Sequence, residues 1–98
     1  MKRKIVVLLL SAVLCGCSHV AYTGQVSEVR QLRGGTVIDL DGAYPNEAMT
    51  IYIPNADSDK FTDGYPAIGQ TVSVKGSITN YRGRPEIVVT SADQIIRQ

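Results

Sequence analysis

The stretch Gly69–Ile95, GQTVSVKGSITNYRGRPEIVVTSADQI, is the most informative about the fold. Val72, Val74 and Ile78 alternate with polar residues, and this period of two is typical of a strand with one buried face and one solvated face. Gly76 interrupts the apolar set, where a curving sheet needs a bend or a close backbone approach. The stretch therefore predicts the first strand of a hairpin, with its apolar face in a core.

The turn of this hairpin lies in residues 80–85, NYRGRP. Gly83 can adopt a positive φ without steric cost. Pro85 donates no backbone hydrogen bond, so it can only begin the next strand at a position that needs none. Residues 87–89, IVV, then predict a second strand that is mostly buried.

The chain begins like a secretory signal peptide. Residues 2–4 are basic, and residues 5–13 are apolar except for Ser11. This apolar run is too short to span a bilayer, which needs roughly 20 apolar residues. Its charge and length are those of the signal that directs secretion.

Residues 14–17, LCGC, directly follow the apolar run and resemble the lipobox of bacterial lipoproteins. That motif has Leu at −3, a small residue at −1 and Cys at +1. The resemblance implies cleavage before Cys17, whose thiol and amine are then acylated, with palmitate among the expected acyl groups. Because Ser18 rather than Asp follows, it also implies the outer membrane, facing the periplasm, in a Gram-negative host. A plain secretory signal with an incidental cysteine is the alternative.

The predicted organisation is a lipoprotein signal peptide over 1–16, a lipidated tether over 17–22 and one domain over 23–98. Removing the first 16 of the 98 residues leaves 82, a size that buries only a limited core. Cys15 leaves with the signal and Cys17 carries the lipid, so we expect no disulfide. The 82 residues hold seven basic and nine acidic side chains, and their net charge of −2 disfavours generic binding to polyanions.

Three strands are predicted ahead of the hairpin, over residues 22–33, 36–40 and 48–53. The apolar residues of the first are spaced by three, which would also suit a helix, but its threonine, glycine and valines are mediocre helix formers. A bulge near residues 27–28 would let the apolar side chains on both sides of it face the core, and it would curl this strand. We therefore expect a long, bent first strand.

The connection over residues 55–69 holds the only helix candidate. Asp57 or Ser58 is suited to cap one or two turns. Phe61 and Ile68 are expected to face the core. The connection is therefore predicted to be a short helix packed against the sheet.

Metal binding is not expected in this connection. Aspartates at 57, 59 and 63 hint at a calcium loop, but Phe61 occupies a ligand position and no glutamate stands at the twelfth position. We therefore predict no metal site and no cofactor.

Three strands, a short helical connection and a two-strand hairpin form the order of an OB-fold, a five-stranded Greek-key barrel. We therefore expect an all-β domain with one short helix, and a tail in which Ile95 and Ile96 pack beneath the barrel. Residues 35–53, 69–76, 81–87 and 94–95 resemble the small OB-fold domains found beside secreted bacterial nucleases. They are also similar to stand-alone periplasmic lipoproteins. The resemblance covers almost the whole chain after the signal peptide, and it implies no nuclease activity because it is to the OB-fold module and not to the nuclease domain.

The ligand face of an OB-fold consists of its second and third strands with the first and last hairpin loops. The candidates on this face are Arg33, Tyr52, Tyr81, Arg82 and Arg84. Two aromatic rings and three guanidiniums suit the stacking of bases and the binding of phosphates. Alternatively, Tyr81 packs over the barrel mouth and the neighbouring arginines merely flank a turn.

The sequence offers no recognisable catalytic set. The only histidine, His19, lies in the predicted tether, and no free thiol is expected. We therefore predict a lipid-anchored binding module of the cell envelope that is not an enzyme. Its partner is expected to be a single-stranded nucleic acid or, in the alternative, an envelope protein or glycan.

Overall fold

The computed structural model describes residues 19–98. The predicted signal peptide, residues 1–16, and the predicted lipidation site at Cys17 lie outside the described residues. Within residues 19–98, no helix has the length and apolar character needed to cross a membrane. The described part of the chain is a mostly-β domain.

The domain contains strands and short 3₁₀ segments. The strands are β1 (His19–Gln31), β2 (Gly35–Leu40), β3 (Met49–Pro54), β4 (Thr71–Tyr81), β5 (Arg84–Val88) and β6 (Ile95–Arg97). The 3₁₀ segments are Asn55–Lys60, between β3 and β4, and Ala92–Gln94, which leads into β6.

The six strands form one mixed sheet in the order β1-β2-β3-β5-β4-β6. Strand β1 also pairs with β4, so five strands form a near-ring with β6 outside it. The contact between β3 and β5 is parallel, and the other pairings are antiparallel. Strand β1 serves two partners: residues 19–25 pair with β4, and residues 26–31 pair with β2.

A β-bulge separates the two halves of β1. The register of β1 against β2 shifts between Val26 and Glu28, as the sequence predicted. Val26 is buried before the bulge, and Val29 packs against the core after it. The bulge therefore explains why the apolar residues of this strand are spaced by three. One extra residue in the strand changes which of the following side chains face the core.

The core fills the interior of the near-ring. It consists of Val26, Ile38, Leu40, Met49, Ile51, Ile53, Phe61, Val72, Val74, Ile87, Val89 and Ile95. Gly76 is buried, and a Cβ atom placed on it would lie 3.1 Å from Cγ2 of Ile87. Neighbouring side chains therefore pack closely against this glycine, whereas the sequence predicted a bend or a close approach of backbone.

The start of the first strand and the tail differ most from the sequence prediction. Strand β1 begins at His19 rather than Tyr22, and His19 pairs with Ser77, so residues placed in the tether belong to the sheet. The tail forms β6, in which Ile95 is buried and Ile96 is 52% exposed. Ile96 does not pack beneath the sheet, because successive residues of a strand point to opposite faces.

The predicted short helix is a 3₁₀ helix over Asn55–Lys60. Asp57 and Ser58 lie inside it, so neither is the cap that the sequence suggested. Phe61 is buried as predicted, whereas Ile68 is 68% exposed and its predicted core position is wrong. Tyr65 and Pro66 are the apolar residues of this loop that gain burial, whereas Ile68 lies in its exposed part.

We expect Ile87→Ala to lower the free energy of unfolding by about 2–5 kcal/mol. Ile87 is fully buried and pairs with Ile51 on β3 and Ile78 on β4, where β5 joins the two parts of the ring. Chemical denaturation measures this loss. Ile96→Ala is the matched control and should change stability by less than about 0.5 kcal/mol. Equal losses in the two variants would contradict the placement of these isoleucines.

Candidate ligand-binding cleft

The side chains opposite the core form a continuous outer face across five strands. Residues in register on neighbouring strands point to the same face of a sheet. One cross-strand row is Arg30, Val37, Tyr52 and Val88. The next row is Glu28, Asp39, Thr50, Glu86 and Thr79.

A cleft of about 770 Å³ lies over this outer face. Its lining includes all five residues that the sequence singled out, Arg33, Tyr52, Tyr81, Arg82 and Arg84. The volume lies within the range of about 300–1,000 Å³ that is usual for ligand sites. The fold therefore brings the predicted residues together in one concave surface.

The turn between β1 and β2 places Arg33 at one side of the cleft. Gly35 follows it, and a Cβ atom on Gly35 would lie 2.9 Å from Cε1 of Tyr52 and 2.3 Å from the carbonyl oxygen of Ile53. Glycine is therefore required there for Tyr52 to lie against the turn. This contact leaves Tyr52 half-buried.

The turn between β4 and β5 places Tyr81 and Arg82 at another side. Arg82 has φ 54° and Gly83 has φ 81°, and they join the paired residues Tyr81 and Arg84. Two positive φ values are those of a type I′ hairpin. The positive φ predicted for Gly83 is therefore confirmed, and the turn places Arg82 beside Tyr81 in the cleft lining.

Arg30 and Asp39 form an ion pair on the outer face that the sequence analysis missed. Arg30 Nε and Nη2 donate to the two carboxylate oxygens of Asp39 at 2.8 and 3.2 Å. Asp39 is fully buried, and it is one of the few charged residues of the described chain that is. Burial raises the pKa of the Asp39 carboxyl above its ordinary value, and the bonds from Arg30 act in the opposite direction.

The loop over residues 41–48, between β2 and β3, covers this part of the face. Its backbone bonds to the bulge of β1: Gly42 N–H donates to Ser27 Oγ at 2.8 Å, and Tyr44 N–H donates to Glu28 Oε1 at 3.1 Å. The bulge turns these two side chains toward the loop. The loop is therefore held in place by the same irregularity that bends β1.

Tyr44 links the loop to two arginines of the face. The Arg30 guanidinium lies 4.6 Å from the centroid of the Tyr44 ring, and the Arg84 guanidinium lies 4.9 Å from it. Both distances allow cation–π attraction. Tyr44 is nevertheless 56% exposed, so part of its ring remains open to the cleft.

Arg84 is occupied by this loop. Its Nη1 donates to Glu47 Oε2 at 2.7 Å and to the carbonyl oxygen of Pro45 at 2.9 Å. The Glu47 side chain is only 3% exposed. Burial acts to raise the pKa of Glu47, but the bond from Arg84, a backbone hydrogen bond and the charges of Arg84 and Arg30 together lower it. Arg84 is therefore a structural cation of the cleft wall rather than a free one.

Arg33 and Arg82 differ from the other arginines of the cleft. Within residues 19–98, neither guanidinium forms an ion pair. The Arg82 guanidinium lies 5.3 Å from the ring centroid of Tyr81, which is 55% exposed. These two arginines are the cations that the cleft can offer to a ligand.

The cleft concentrates the positive charge of the domain. Residues 19–98 hold seven arginines and lysines, and four of them line the cleft together with two glutamates, Glu47 and Glu86. Among the described residues, no group of three or more His, Cys, Asp or Glu side chains is placed to hold a metal ion. The chemistry of the cleft is therefore that of aromatic rings, guanidiniums and isolated carboxylates.

We expect Arg30→Ala to destabilise the domain by about 3 kcal/mol at neutral pH, because it leaves the buried Asp39 without its partner. Loss of the two bonds raises the pKa of Asp39 further. A carboxyl whose pKa is raised on folding favours the folded state at low pH and loses that contribution as the pH rises through its folded pKa. The difference in the free energy of unfolding between wild type and Arg30→Ala should therefore become smaller as the pH is lowered. Chemical denaturation across a pH series measures it.

Arg33→Ala is the control for this experiment, because its guanidinium is exposed and forms no ion pair among the described residues. We expect it to change stability by less than about 0.5 kcal/mol at each pH. A deficit in Arg30→Ala that is constant with pH would contradict a role for Asp39 ionisation.

Comparison with models of known protein families finds no match, and comparison with curated proteins finds no similar sequence.

Proposed function

We propose that this chain is a binding module for single-stranded nucleic acid, of the OB-fold type, anchored in the bacterial cell envelope by lipid on Cys17. The observation that carries the proposal is the cleft, which gathers Tyr44, Tyr52 and Tyr81 with four arginines. Aromatic platforms beside cations are the usual means by which proteins bind single strands. The proposal involves binding without catalysis.

The strand order supports the OB-fold part of the proposal. Three strands, a 3₁₀ segment and a two-strand hairpin follow one another, and five strands form a near-ring. The cleft lies over β2 and β3, between the β1–β2 turn and the β4–β5 turn. These are the strands and loops with which OB-folds bind oligonucleotides and oligosaccharides.

The free cations support an anionic ligand. Arg33 and Arg82 lie on two different turns that border the cleft. A strand that crosses the cleft would meet one guanidinium at each turn. Its bases would stack on the exposed rings of Tyr81 and Tyr44, a contribution that is tolerant of sequence.

The internal ion pairs favour a second candidate, an uncharged glycan or an envelope protein. Arg30 and Arg84 are already bonded to Asp39 and Glu47, so half of the arginines in the cleft are neutralised. Tyrosine and arginine are also common anchors at protein interfaces. The same surface would then bind a partner that carries no phosphate.

We expect the chain to bind labelled single-stranded DNA or RNA weakly, and to lose affinity steeply as salt is added, because phosphate binding releases counterions. Fluorescence anisotropy of the full chain in non-ionic detergent measures this. Arg82→Glu should weaken binding more than Lys75→Glu, which makes the same charge change at an exposed residue of β4 outside the cleft. Tyr81→Ala should cost about 1–3 kcal/mol of binding free energy.

Absence of binding at low salt would contradict the nucleic-acid proposal, because electrostatic attraction is strongest there. Equal effects of Arg82→Glu and Lys75→Glu would place the binding site outside the cleft. A partner that is captured from envelope extract after nuclease treatment, and is lost with Arg82→Glu, would support the second candidate.

The envelope part of the proposal predicts that labelled palmitate is incorporated into the wild-type chain and not into Cys17→Ser. Cys15→Ser is the matched control and should retain the label, because Cys15 precedes the proposed cleavage site. Metabolic labelling followed by membrane fractionation measures both. Incorporation that depends on Cys15, or on neither cysteine, would contradict anchoring at Cys17.

A further inference from the structure

Glu86 is the one carboxylate of the cleft lining that the described structure leaves without a partner. Asp39 beneath the cleft and Glu47 in its wall each bind an arginine. No hydrogen bond or ion pair to the Glu86 side chain is formed within residues 19–98, although this residue lines the cleft and is half-buried. The fold itself therefore makes no use of its negative charge.

The position of Glu86 is unfavourable for the free domain. It lies on β5 between Thr50 of β3 and Thr79 of β4, where glutamate has a low strand propensity. Burial alone raises the pKa of its carboxyl, because no cation offsets the loss of water. The Glu86 carboxylate is therefore free to accept a hydrogen bond from a molecule bound in the cleft.

The tyrosines of the cleft lie close to this carboxylate. Tyr81 is two residues beyond Thr79 on β4, and Tyr52 is two residues beyond Thr50 on β3. Glu86 and each tyrosine are therefore diagonal neighbours on the same face, about 7–8 Å apart between backbones. A nucleobase stacked on either ring can bring its hydrogen-bonding edge to the Glu86 carboxylate.

We infer that Glu86 recognises the edge of a stacked base by accepting a hydrogen bond from an exocyclic amino group, so that the cleft prefers cytosine to thymine or uracil. The inference rests on the proposed function. An ionised carboxylate only accepts hydrogen bonds. Cytosine presents an N4 amino donor, whereas thymine and uracil present the O4 acceptor at the same position, which a carboxylate repels.

The test compares oligo(dC) and oligo(dT) of equal length, because both are pyrimidines and differ at the edge that Glu86 would contact. Anisotropy titrations use the full chain in non-ionic detergent at neutral pH and low salt. We expect oligo(dC) to bind at least about fivefold more tightly than oligo(dT), the lower end of discrimination by a base-edge contact. In Glu86→Gln, which can both donate and accept, we expect the two affinities to agree within about twofold.

Asp59→Asn is the matched control, because it removes one negative charge at an exposed residue outside the cleft. It should strengthen binding of both oligonucleotides slightly and leave their ratio unchanged. Equal binding of oligo(dC) and oligo(dT) by the wild type would overturn the role of Glu86 and leave the proposed function standing. A preference that survives Glu86→Gln would assign it to another residue, and failure of both oligonucleotides to bind would overturn the proposed function itself.

Discussion

The near-ring requires β1 to pair with two different strands. Strand β1 bonds to β4 through its first half and to β2 through its second, and the near-ring exists only because this strand is shared. A regular strand could not keep apolar residues inward along both halves while bending between them. The bulge between Val26 and Glu28 meets both requirements. Its extra residue bends the strand and lets the apolar side chains of the second half face the core.

The same bulge also shapes the outer face. Ser27 and Glu28 bond to the loop over residues 41–48, and that loop carries Tyr44 and Glu47 to the arginines. The bonds that hold the loop thus decide which cations remain free. Arg84 forms an ion pair with Glu47, whereas Arg82 forms no ion pair among the described residues.

Charge placement matters more here than net charge. Residues 19–98 carry seven basic and nine acidic side chains, a balance that argues against binding to polyanions. Four of the seven basic residues nevertheless line one cleft. The field inside a cleft is set by the charges that face it and by its low-dielectric walls. A net acidic domain can therefore present a basic surface, although ion pairs with Asp39 and Glu47 reduce the positive charge of this one.

Local sequence patterns predict the five strands of the near-ring and their order, but not β6. Alternation predicted β4, the three-residue spacing predicted the bulge, and turn chemistry predicted the positive φ of Gly83, because these features arise from residues close in the chain. The sequence also placed the five candidate residues on turns and strands that meet. Local patterns do not predict that Asp39 is buried with Arg30 or that Ile96 is exposed. Those outcomes depend on which strand and loop cover each face, and that information lies in contacts between residues far apart in sequence.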